Sequence, residues 1–291
     1  MRMITRTRSA ITSAVRAKVN GADFAALAEE VWKAPGERWF TPDDAIWRVH
    51  RDTSMFVGGI RALLLQSLHP VAMQAVSEHS GYRGDPWGRL QRTSRYIAMT
   101  TYGTVPDAEA AIAKVSHIHD FIKGVTPTGV PYEADDPHLL MWVHCAEIDS
   151  FLAAHQAYGA KPLDAARADE YVAQTAVAAE RLGVVDAPRT VAELESILMS
   201  FRVELDRTDA AVEAATLLLK HPPLPKTSLP AYQVLVRGAL SIMPAWALAR
   251  LRLPYAPLSE VIAKPLARAA TQTLRWAFEV DPDNTPPPAT F

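Results

Sequence analysis

One cysteine, Cys145, stands among 291 residues, so the chain has no internal disulfide, no CxxC metal site and no CxxCH point for attaching a covalent haem. A reducing cytoplasm is the compartment expected of such a chain. An excess of one charge is missing too. Thirty Lys and Arg against thirty-two Asp and Glu leave a formal charge of -2 and no basic field for a nucleic acid. No run reaches the roughly 18 apolar residues of a spanning helix, and the basic start MRMITRTRSAITSAVRAKVN lacks the continuous apolar core of a secretory signal. That start is amphipathic, which leaves peripheral contact with a membrane surface open. There is no P-loop, GxGxxG turn, GxSxG elbow or HEXXH, and no pair of ExxH motifs for a di-iron bundle.

The sequence is rich in helical periodicity and shows no convincing alternating strand. Residues 23–32 predict a short amphipathic helix closed by Pro35 and Gly36. Thr41 is expected to cap the next helix, with Pro42, Asp43 and Asp44 in its first turn. The longest mostly apolar stretch, Met55 to His79, predicts a central buried helix that Pro70 kinks near residues 66–70, with His69 at the bend. Gly58 and Gly59 on that helix permit close approach of another backbone or a flat ligand. Further helices are expected over 163–182, 190–204, 209–221, 231–247 and 257–278, with a proline-rich break before Ala231. The expected organisation is an N-terminal arm and short helix over 1–40, one all-helical domain over 41–280 and a disordered tail over 281–291.

Polar chemistry concentrates between Gly81 and Gly124. After Asp85 and Pro86, the residues Arg89, Thr93, Tyr96 and Thr100 share one helix face, and Arg92 lies beside them. Pro106 and Asp107 open a second helix whose apolar stripe includes His119. His117 lies on its opposite side, and Gly124 is the expected stop. A turn-rich connection through Pro127, Gly129 and Pro131 then leads to a helix capped by Asp135, on which His144 faces inward with Leu140, Met141, Ile148, Phe151 and Leu152. Three histidines on apolar faces (His69, His119 and His144) beside an Arg/Thr/Tyr ladder are the parts a haem needs: an axial imidazole, an apolar slot and cations for the propionates. The same residues also suit a hydrogen-bonded core that ties helices together.

The series LLLQSLHPVAMQAV, GDPWGRLQRTSRYIAMTTYG, IHDFIKG and GVPYEADDPHLLMWVH, in that order, resembles the catalytic domain shared by latex-clearing rubber oxygenases and MpaB-type oxygenases. The resemblance implies an all-α, single globin-like multi-helix domain enclosing a haem pocket, a non-covalent haem b, and O2 or peroxide acting on a small hydrophobic substrate. It makes His119 the axial iron ligand and places Arg89, Thr93 and Tyr96 at the cofactor. The candidate catalytic residues are Arg89, Arg92 and Thr93, together with the inward-facing His69 and His144, either of which could shape the distal pocket by hydrogen bonding. Where the rubber oxygenases carry a lysine before the threonine, this chain has Arg92, which stays protonated and offers iron no nitrogen lone pair. The alternatives are a haem-binding or sensing protein without turnover and a helical interaction protein.

Overall fold

A computed structural model describes residues 31, 34–81, 83–253 and 257–278. The helix expected over 23–32, Val31 apart, and the tail over 281–291 lie outside these residues. The described chain is all-α, with twelve α-helices and one two-stranded hairpin. No single helix in it is long and apolar enough to cross a membrane.

The core is built on two helices, α2 (Met55–Gln66) and α6 (Pro137–Tyr158). Burial around nearly the whole circumference of α6, from Leu140 and Trp142 through Cys145, Ala146 and Ile148 to Phe151, marks it as the central helix. Gly58 is where α2 touches it. A Cβ at Gly58 would lie 2.9 Å from the Phe151 ring and 3.2 Å from the Ser150 carbonyl oxygen, whereas one at Gly59 would meet open space. The close approach expected of this pair therefore belongs to Gly58 alone. Beside it, buried Arg61 binds Asp149 Oδ2 at 2.7 Å, Ser150 Oγ at 2.7 Å and the Ile242 carbonyl at 3.1 Å, which joins α2 and α6 to the end of α10 (Leu229–Ser241).

Pro70 does more than kink the apolar stretch. It starts a separate helix, α3 (Pro70–His79), that turns 108° from α2. His69 takes an extended backbone at the corner (ψ 112°), as a residue preceding proline should, and its Nδ1 accepts from the Ala72 N–H at 3.3 Å. Prolines also open α4 (Pro86–Tyr102) and α6 and occupy the first turn of α5 (Val105–His119), each behind a side-chain cap from Asp85, Asp136 or Thr104. The cap of α6 is thus Asp136, one residue beyond the expected Asp135. Thr41 caps nothing: its amide and hydroxyl both donate to Asp44, and α1 (Ala45–Arg51) begins only after that turn.

The turn-rich connection after α5 contains short strands too brief to show a period. β1 (Lys123–Val125) and β2 (Pro131–Glu133) pair antiparallel, with Gly124 opposite Tyr132. Gly124 is consequently a strand residue and not the stop of α5. A Cβ there would meet the Tyr132 hydroxyl at 2.5 Å.

Around this centre stand α7 (Ala165–Leu182), which packs on α1 and α5, then α8 (Val191–Ser200), α9 (Asp209–Leu219), α11 (Ala245–Leu251) and α12 (Pro257–Phe278). The helix expected over 231–247 is two, α10 and α11, divided at Pro244.

Candidate functional site

Helix α6 carries His144 and Glu147 one turn apart, directed among α2, α4 and α7. Burial drives both toward neutrality: His144 falls to about 4 and Glu147 rises from 4.5 to about 7. The Gln66 side chain at the end of α2 offsets part of the Glu147 rise, and its amide also donates to the Val143 carbonyl at 3.0 Å. Tyr96 reaches the same region from α4. Its phenol is held strongly protonated by burial and by the neighbouring Glu147 charge, as is that of Tyr171 on α7. Behind Tyr171, His50 completes a polar string, with its ring nitrogens 3.3 Å from the Tyr171 hydroxyl and 2.8 Å from Thr101 Oγ1.

His144 Nε2 is buried and has no hydrogen-bond partner. An orphaned polar atom in an apolar setting is destabilising by about 1–3 kcal/mol. His144, Glu147 and Tyr96 are each partly buried.

The remaining expected site residues fall in several environments. Arg89 is half-buried. Thr93, a turn further on, is exposed and donates its hydroxyl back to the Arg89 carbonyl at 3.1 Å. Arg92 points outward, 63% exposed, with Asp85 Oδ2 at 3.7 Å and the Ser80 carbonyl at 3.4 Å. Deeper along α4, Tyr96 and Thr100 turn toward the core, where Thr100 bonds to the Tyr96 carbonyl at 2.9 Å. His119 ends α5 half-buried. Burial lowers its pKa while Asp135 and Asp120 act the other way. His117 is 72% exposed and 4.0 Å from Asp120, on the solvent side as its helix phase requires.

His69 joins a second cluster that sequence reasoning missed. Its buried Nε2 lies 3.5 Å from Glu204 Oε2, and His138 Nε2 lies 2.8 Å from the same oxygen. Phe201 walls the group, stacking on His138 at 4.5 Å between ring centroids. Glu147 was also missed. An acid three residues after a histidine inside an apolar helix is a legible signal for it, whereas Glu204 offers none, because its partners are remote in sequence.

A histidine that ligates haem iron must be a neutral imidazole with a free ring nitrogen. His144 meets that requirement, burial favours the neutral form of His119 as well, and Arg89 supplies a half-buried cation on the facing helix. The residues present therefore fit the group. Two open hollows elsewhere, one lined by Arg83, Glu213 and His221 and the other by Arg202, Arg207 and Trp246, include none of these side chains.

Compared with known proteins, the chain gives no match to any curated protein or solved structure. The family model described as "ER-bound oxygenase mpaB/B'/Rubber oxygenase, catalytic domain" matches residues 47–276, from the middle of α1 to the last turn of α12. That span contains every helix from which the interior polar groups project. With most of its length matched by that model and its fold all-helical, the chain belongs to the mpaB and rubber oxygenase catalytic-domain family and is an oxygenase.

Proposed function

We propose that the chain is a cytoplasmic haem b oxygenase, or a peroxygenase-like enzyme, that acts on a small hydrophobic molecule. The carrying observation is the unpaired Nε2 of His144, set among apolar helices one turn from a carboxyl group whose pKa is near neutrality. His119 would hold the iron through a neutral imidazole, and Arg89 would face the propionates. Haem bound in this way supplies activation of O2 or peroxide. Apolar helices exclude bulk water from the interior. His144, neutral across the physiological range, can exchange a hydrogen bond at Nε2 without bringing in a charge. Glu147, near 7, can take up or release a proton, and the Tyr96 phenol remains a donor. Production with haem supplied, followed by an absorption spectrum, tests the reading. A protein that stays colourless and takes up no haemin overturns it.

A second reading rests on the imidazoles of His119 and His144, both of which burial shifts toward the neutral form. If both bind iron, the protein stores or senses haem without turnover, and its spectrum will not change with added cyanide or imidazole.

Glu147 gives a pH signature that needs no cofactor. Its folded-state pKa is raised, so the stabilisation tied to its proton is complete below about pH 4.5 and is lost as pH rises through about 7. Relative to the wild type, Glu147→Gln should therefore be more stable at pH 8 than at pH 5, by about 2 kcal/mol. Urea unfolding at the two pH values measures this. An equal effect at both would show that Glu147 ionises freely.

A further inference from the structure

We infer that His69, His138 and Glu204 form a binding site for a first-row divalent cation of the zinc or cobalt type. The site is separate from the interior site proposed for haem. Three segments remote in sequence converge on it: the α2–α3 corner, the second residue of α6, and the residue after the 3-10 turn Phe201–Val203. Their ligand atoms all lie within 4.8 Å of one another. A tetrahedral cation with bonds of about 2.0–2.1 Å sets its ligand atoms roughly 3.3 Å apart. The His69–Glu204 separation of 3.5 Å already matches, and the 2.8 Å His138–Glu204 contact needs only to open slightly.

The second observation is an orphan. His69 is 3% exposed, yet its Nε2, aimed at Glu204, has no hydrogen-bond partner at the observed geometry. Two imidazoles and a carboxylate are the donor set that borderline divalent ions prefer. Asp136 adds negative charge near His69, and its side chain also fixes the His138 amide at 2.8 Å. One ligand is rigid and two can adjust, because His138 is 55% and Glu204 40% exposed. The backbone on either side is anchored, with the Asp206 N–H donating to the Leu68 carbonyl at 2.8 Å. The exposed side leaves a position for water.

Coordination has one requirement. While His69 Nδ1 accepts from Ala72 N–H, the ring proton sits on Nε2. A cation takes the Nε2 lone pair once that proton moves to Nδ1, which releases the long 3.3 Å cap.

Titrating haem-free protein with Co2+ and then Zn2+ tests the site, by the visible bands of four-coordinate Co2+ and by calorimetry. The expected result is one ion per chain. His138→Ala and Glu204→Gln, both at half-exposed positions that leave the core intact, should each weaken Zn2+ binding roughly tenfold or more. His117→Ala should leave it unchanged. Absence of Co2+ bands, or binding that survives both substitutions, would overturn the assignment, and neither result bears on haem uptake.

Discussion

Arg61→Ala is expected to destabilise the protein by about 3–5 kcal/mol. The guanidinium is 3% exposed and joins three elements through Asp149, Ser150 Oγ and the Ile242 carbonyl. Truncation removes all three bonds at once and leaves the Asp149 carboxylate, 22% exposed, without its counter-charge. Lysine is no substitute, because one ammonium cannot reproduce the planar fork. Pairing Arg61→Met with Asp149→Leu should recover much of the loss, since the unpaired charge goes with its partner. Denaturant midpoints of the single and double variants check both statements. A loss below about 1 kcal/mol for Arg61→Ala would show that the pair is solvated like a surface bridge.

The second large effect is on haem retention. His119→Ala should lower haem occupancy roughly tenfold or more, whereas His117→Ala should leave it at the wild-type level, because the two rings project from opposite sides of α5 and the second is 72% exposed. His144→Ala should keep the haem but alter its spectrum, through loss of the imidazole one turn from Glu147. Pigment counted by pyridine haemochrome, per folded chain, decides the matter. If His119→Ala keeps its haem and His144→Ala loses it, the axial ligand belongs to α6.

Helices are legible in this chain because several announce their starts chemically. Asp85–Pro86, Thr104 ahead of Pro106 and Asp136–Pro137 each combine a capping oxygen with a first-turn proline; of the expected caps, Asp135 missed by one residue and Thr41 bonds to Asp44 in the turn before its helix. His144 was legible from its apolar stripe. The Glu147 carboxylate three residues on carried a signal in that spacing, but periodicity places a charge at the edge of a stripe and does not report its depth. The hairpin strands, three residues each, are below the length at which alternation can be seen. The second cluster was half visible. His69 stands out at a proline corner, but its meeting with His138 and Glu204 is a product of tertiary structure. Arg89, Thr93, Tyr96 and Thr100 read as one ladder from spacing, and the fold separates their surroundings, because Thr93 is exposed on α4, Arg89 and Tyr96 are half-buried and Thr100 is buried.

The contact of Gly58 with Phe151, reinforced by Arg61 and Ser150 across 89 residues of sequence, closes a long loop of chain. Everything between, including α4, α5 and the hairpin, is an excursion that leaves the closed pair and returns to it. Such an excursion can open as a cooperative unit at a lower free energy than global unfolding. Arg89, Tyr96 and His119 ride on it, whereas His144 and Glu147 stay on the closed pair. In hydrogen exchange, the amides of α4 and α5 are expected to fall in a faster class than those around Gly58 and Phe151.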